Sequence, residues 1–247
     1  LGIIESDPKE LQLRSALASL YEKEREFDKA KAVYQTVIDL DPKGDEGVKS
    51  RTRLARLLYG EGKRDDAANL LLAALKISPN DIEALTFRGQ TALERGDAAS
   101  AIADFRSVLK EQPDSVPLLR LLARAHATNN EAALARDEMR KAVELDAGNP
   151  QLRLEMAQLD LQAGDGASAR EQLARVLAAA PNQPEALAAM FRLSLAEKDL
   201  KAAHEYAGRF KAAYSGNALG YYFAGQAYQA EKKLAQSEQE YETALAK

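Results

Sequence analysis

Few side chains in this 247-residue sequence are grouped in a way that supports catalysis. Cysteine is absent, which excludes thiolate nucleophiles, disulfides and Cys-based metal centres. The two histidines, His126 and His204, stand far apart with no partner at metal-ligand spacing. The pattern around them predicts a partly buried packing role for His126 and a surface position for His204. Asp65 and Asp66 fall where a helix should begin, so their charge suits the positive end of a helix dipole better than acid–base work. GDG at 164–166 reads as a turn, because a phosphate cradle needs several glycines after a strand and no strand is predicted. YEKEREFDK at 21–29 carries both signs and reads as a solvated turn. The expectation is a protein that is not an enzyme, with no catalytic residue, cofactor or metal. The remaining chemistry is arginine's, whose forked guanidinium recognises carboxylates, and Arg56, Arg120, Arg124 and Arg192 recur at related intervals.

The elements that would hold those arginines are clearest in residues 82–115, IEALTFRGQTALERGDAASAIADFRSVLKEQPDS. Leu85, Gly89 and Ala92 stand at i, i+4 and i+7, and so do Ala101, Phe105 and Val108, which predicts two amphipathic helices. Gly96 suits a left-handed helix end, Asp97 suits the N-cap of the second helix, and Pro113 stops it. Gly89 and Ala101 are too small to fill a core, so two helix backbones should approach closely there. Such a hairpin cannot bury both faces and needs neighbours stacked on it.

The same frame recurs along the chain. The closing position is Pro8, Pro42, Pro79, Pro113, Ala147, Pro181 and Ser215, spaced by 34 residues except for 37 between Pro42 and Pro79. The three extra residues fall in KGDEGVK at 43–49, expected to be a polar loop. The units read as 11–47 with its loop, 48–81, 82–115, 116–149, 150–183, 184–217 and 218–247, all one continuous array, with 1–10 as the tail of a preceding repeat. The place of Gly89 is elsewhere Ala18, Ala55, Ala123, Ala157, Phe191 and Gly225. In the sixth unit Ala207 and Phe210 stand in the second helix where an aromatic and an Ala would be usual, as if the small and the large residue had traded places.

These residues resemble the tetratricopeptide repeat, a 34-residue helix-turn-helix with Leu, Gly or Ala, Tyr, Ala, an aromatic and Pro at set offsets. Leu17, Leu54 and Leu122 keep its Leu, Tyr21 and Tyr228 its Tyr, and Tyr34, Phe105 and Tyr241 its aromatic. Arg88, Met156, Met190 and Ala224 depart at the Leu place, and Leu58, Ala92, His126, Asp160 and Ser194 at the Tyr place. The resemblance implies an all-α, right-handed α-solenoid of about seven repeats, with a concave face lined by the first helix of each. It implies a non-catalytic scaffold for protein–protein interaction.

With Ile82 as the first place, the fifth and ninth places of that face are Ser15 and Ser19, Thr52 and Arg56, Thr86 and Gln90, Arg120 and Arg124. They continue as Leu154 and Gln158, Ala188 and Arg192, Tyr222 and Gln226. Four are arginine and none is acidic, so the candidate groove is Arg56, Gln90, Arg120, Arg124, Gln158, Arg192, Tyr222 and Gln226, facing a protein or peptide of acidic character. The other reading has the arginines solvated or paired with Glu83, Glu94 and Glu185. Members that clamp the carboxylate tail of heat-shock chaperones use basic residues and Asn at places held here by Thr52, Arg56, Gln90, Arg120 and Arg124. Only Arg120 and Arg124 match them.

Composition limits the partners further. A net charge of −4 gives no overall attraction to nucleic acid, and no apolar run is long enough to insert in a membrane. Hydrophobic residues at 46% with only 6% aromatics fit thin helix-to-helix packing. The Ala- and Arg-rich style looks like bacterial arrays in cell-envelope work such as exopolysaccharide export or pilus assembly, with periplasm favoured over cytoplasm. A partner-recruiting arm of a larger enzyme is the alternative. The frame at both ends reads as a fragment of a longer array, with self-association expected through exposed terminal repeats.

Overall fold

The computed structural model describes residues 8–247, and side chains from Glu10 onward. The expected tail at Leu1 to Ser6 lies outside the described residues, among which there are fourteen α-helices and no strand. They divide into two compact bodies, residues up to Asn130 and residues from Glu131. The first holds three hairpins, α1 (Pro8–Lys23) with α2 (Phe27–Leu40), α3 (Asp45–Gly60) with α4 (Arg64–Ile77), and α5 (Ile82–Glu94) with α6 (Ala98–Glu111), then α7 (Val116–Thr128). The second opens with α8 (Ala132–Leu145). Three hairpins follow: α9 (Pro150–Gln162) with α10 (Gly166–Ala179), α11 (Pro184–Ala196) with α12 (Leu200–Ala213), and α13 (Ala218–Ala230) with α14 (Leu234–Leu245).

The turns follow one rule. A left-handed residue stands at Arg25, Gly62, Gly96, Asn130, Gly164, Lys198 and Lys232, all with φ between 59° and 81°. Their spacing reproduces the 37-then-34 interval of the sequence. At Gly96 the amide donates to the Leu93 carbonyl at 3.1 Å and Asp97 N–H donates to Ala92 O at 2.9 Å, a Schellman closure. Asp97 then caps α6 by accepting from Ser100 N–H at 3.1 Å. Asp65 and Asp66 lie in the first turn of α4, as their charge predicts.

The inserted residues do not form the expected loop. They extend α3, which starts at Asp45 and runs 16 residues against 13 in α5. Gly47 makes this geometry accessible: a Cβ there would strike the Asp41 carbonyl, and its N–H donates to Asp41 Oδ2 at 3.2 Å. The buried Arg51 donates to Pro42 O at 2.8 Å, tying the short connection back onto the helix.

Close approach within hairpins explains the small residues. A Cβ at Gly89 would lie 2.5 Å from Phe105 Cε1, and one at Gly225 would lie 2.5 Å from Tyr241 Cε1. Where the sixth unit has Phe191 instead, its partner position is Ala207, and both are fully buried in one cluster with Phe210 and Phe223. Phe191 stacks on Phe223 with centroids 4.3 Å apart. Volume is conserved while its source moves from one helix to the other.

Polar departures from the repeat bring polar partners. Arg88 donates from Nε and Nη2 to the two carboxylate oxygens of buried Asp104, at 2.8 and 2.6 Å. Asp160, fully buried at the Tyr place, lies 2.7 Å from Arg136 Nε, and burial raises its carboxyl above the ordinary value despite that cation. His126 is fully buried rather than partly so, with Arg106 Nη2 3.4 Å from its Nε2. His204 is half-buried rather than exposed, packed on Tyr228 at 4.6 Å with Nε2 3.2 Å from Glu231.

Candidate functional site

First helices contact one another within each body: α1 with α3, α3 with α5 and α5 with α7 in the first, and α11 with α13 in the second. Second helices make no comparable contacts among the described residues. The first helices therefore pack as a layer, α1 to α7 in the first body and α11 with α13 in the second.

Of the eight predicted groove residues, the first body holds Arg56, Gln90, Arg120 and Arg124, and the second holds Gln158, Arg192, Tyr222 and Gln226. Arg124, Gln158, Arg192 and Tyr222 are exposed, while Arg56, Gln90, Arg120 and Gln226 are half-buried. Two neighbours assigned to the groove are not on it. Thr52 is fully buried and donates to Val48 O at 3.3 Å, and Ala188 is also buried, because the fifth place of these units turns into the helix–helix contact.

The arginines at the ninth place do structural work as well. Arg56 lies over the Phe87 ring at 4.6 Å and Arg192 over the Phe223 ring at 6.0 Å, in each case the sixth-place aromatic of the following unit. Arg56 Nε is also 3.6 Å from Glu83 Oε1, to which Arg53 Nε stands at 3.0 Å. The pairing reading thus holds for Glu83, but across neighbouring units. Glu94 instead accepts from Tyr59 at 2.6 Å. In the second body, Gln226 Nε2 donates to Tyr222 Oη at 3.1 Å.

Sequence reasoning named Ser15 and Ser19 but missed what gathers around them. A concavity of about 90 Å³ is lined by these two hydroxyls with Tyr34, Glu46, Lys49, Ser50, Arg53 and Glu83. Ser15 Oγ donates to Glu46 at 2.7 Å, and Lys49 donates to the same carboxylate at 3.0 Å. Burial opposes ionisation of Glu46, yet these two donors outweigh it and hold the carboxyl below its ordinary value. Tyr34 donates to Glu22 at 2.5 Å, and burial together with that carboxylate pushes its hydroxyl up to about 12. The signal available in the sequence was the second and sixth places, Lys49, Arg53 and Glu83. Among the described residues no cluster of three or more His, Cys, Asp or Glu is placed to hold a metal.

Sequence models of the tetratricopeptide repeat match residues 15–82, 52–116 and 88–150, and a second such model matches 128–193. The chain belongs to the tetratricopeptide-repeat family. Comparison with curated proteins returned no match. Among solved structures, the C-terminal part of a TPR repeat-containing protein from Cytophaga hutchinsonii aligns over 94% of each chain, with 14% identity and a TM-score of 0.78. PilF of Pseudomonas aeruginosa aligns over 90% of this chain and 97% of its own, at 21% identity and 0.68. PilW, described as a widely conserved type IV pilus biogenesis factor, aligns over 84% and 94%, at 19% and 0.68. At these identities the likeness to each solved structure is one of fold. Tetratricopeptide-repeat proteins are in general non-catalytic interaction modules, and this chain has the fold of a protein-binding scaffold.

Proposed function

We propose that this tetratricopeptide-repeat chain binds a protein partner on the first helices of its bodies, as part of a bacterial envelope assembly such as that of pili. The observation that carries the reading is the packing of first helices on one another within each body. First helices packed on one another hold Arg120 and Arg124 one turn apart on α7, and expose Arg192 and Tyr222 on α11 and α13. Those arginines favour a partner segment bearing carboxylates, because guanidinium–carboxylate contacts are directional and charge-assisted. The pilus-related solved structures support the envelope setting through shared fold only.

Photo-crosslinking separates this from binding elsewhere. A benzoylphenylalanine at position 124 or 192 is expected to capture one partner protein in cells, and the same group at Lys76 or Arg175 on second helices is not. Capture from the second helices alone would move the site off the first helices.

A second contact is favoured by two faces that internal junctions bury. The twenty-eighth place is 7–8% exposed at Ile38, Leu75, Val143 and Leu177, but 89% exposed at Leu245. The third place is buried at Ala84, Leu118, Leu152 and Ala186, but Leu13 is 71% exposed. In a polypeptide of these 247 residues both apolar faces are exposed, and we propose that such a polypeptide associates head to tail through them.

A further inference from the structure

The third place carries no polar side chain in six of the units, as Leu13, Ala84, Leu118, Leu152, Ala186 or Gly220, and is buried in all of these but the first. In the second unit it is Ser50. Its hydroxyl is buried, at 1% exposure, and has no hydrogen-bond partner in the protein. An unpaired buried hydroxyl costs stability, so a place that is apolar elsewhere carries a donor and acceptor that the fold does not use. Ser50 lines the 90 Å³ concavity on the first-helix layer.

The lining decides what enters. Two acids, Glu46 and Glu83, face two cations, Lys49 and Arg53, and the pairs Glu46–Lys49 and Glu83–Arg53 stand at 3.0 Å each. An entering ion would meet like charges as well as opposite ones, two carboxylates or two cations, and no net attraction would offset its lost hydration. A neutral group is repelled by neither. Arg53 uses Nε on Glu83 and keeps its Nη groups as donors, while the carboxylates and Tyr34 keep lone pairs as acceptors. The concavity has room for several waters or for one small polar group.

We infer that this concavity is a subsite for a carboxamide, the side chain of an Asn or Gln in a peptide lying on the first-helix face. Its carbonyl would accept from Arg53 and from Ser50, whose side chain must rotate about its Cα–Cβ bond to turn the sealed hydroxyl into the concavity. Its NH₂ would donate to the carboxylate oxygens. The inference rests on the reading of that face as the binding face.

The test is a titration of ¹⁵N-labelled protein followed by NMR. The probes are N-acetyl-glutamine N-methylamide, its asparagine, glutamate and lysine counterparts, the glycine compound as blank, and N-acetylglucosamine. Saturable shifts at Ser50 and Arg53 are expected with the glutamine or asparagine compound and not with the others. Binding is expected to weaken about tenfold in Ser50→Ala, the loss of one good hydrogen bond. Ser50→Ala should also raise the unfolding midpoint. Ser194→Ala removes another buried, unpaired hydroxyl, one that does not line the concavity, and should raise the midpoint without altering the titration. No saturable shift, an equal response to the glycine compound, a preference for the charged compounds or the sugar, or equal binding by Ser50→Ala would overturn the subsite. Crosslinking of a partner from positions 124 and 192 with a failed titration removes the subsite alone. Capture only from the second helices removes the groove reading, whatever the titration gives.

Discussion

Tyr34 shows how a single side chain links repeat packing to the candidate site. It fills the aromatic place of the first hairpin, is almost wholly buried, and sends its hydroxyl to Glu22 beside the polar concavity. Because its folded value of about 12 lies above the ordinary 10, its contribution to stability is complete below pH 10 and is lost as pH rises from 10 to 12. Ultraviolet titration of wild type against Tyr34→Phe should therefore show the missing tyrosine ionising last, near pH 12; a difference centred near 10 would contradict the burial and the Glu22 contact. The aromatic place was legible from the repeat frame. The Glu22 contact was not, since a frame reports which positions face inward and says nothing of which polar atoms meet there. Arg88 with Asp104 and Asp160 with Arg136 were missed for the same reason.

The hairpins were legible nearly in full, because small and large residues alternate across each helix pair. Gly89 lies against Phe105; in the sixth unit the sequence suggests an exchange between Ala207 and Phe210 in one helix, whereas the structure exchanges Phe191 with Ala207 between helices. The exchange between helices is testable in the third hairpin. Gly89→Phe alone should destabilise by about 3 kcal/mol or more through overpacking, and adding Phe105→Ala should recover about 2 kcal/mol of it. Urea midpoints of the two variants decide this, and a double variant less stable than the single would refute volume exchange. The inserted stretch at 43–49 was misread as a loop because Lys43, Gly44 and Gly47 look like turn residues. Gly47 is needed instead for close contact with the Asp41 carbonyl at the start of α3. Thr52 was misplaced on the groove because place numbering assumes one rotation for every first helix, and α3 buries its fifth place.

For the molecule as a whole, the array pattern predicts how copies should meet. Wild type is expected to show a sedimentation coefficient rising with concentration and no closed end state, since a head-to-tail contact does not close on itself. Leu13→Glu and Leu245→Glu alter exposed residues, so each should fold and remain monomeric. Their equimolar mixture should form a one-to-one dimer through the two intact faces. Dimers of Leu13→Glu alone would place the contact between like faces, and monomeric wild type at high concentration would remove it. Function was legible only as far as the family. The contact between first helices follows from the period, but how each arginine is engaged depends on cross-repeat neighbours such as Phe87, Glu83 and Phe223.

Binding by the arginines of α7 is the central claim, and titration calorimetry with the crosslinked partner tests it most directly. Folded Arg120→Ala/Arg124→Ala protein, checked by its urea midpoint, should bind more weakly than wild type by about 2 kcal/mol. Added salt should weaken the wild-type complex more steeply than the variant's, because more charge remains to be screened. Equal affinity and equal salt slopes for the two proteins would contradict the account.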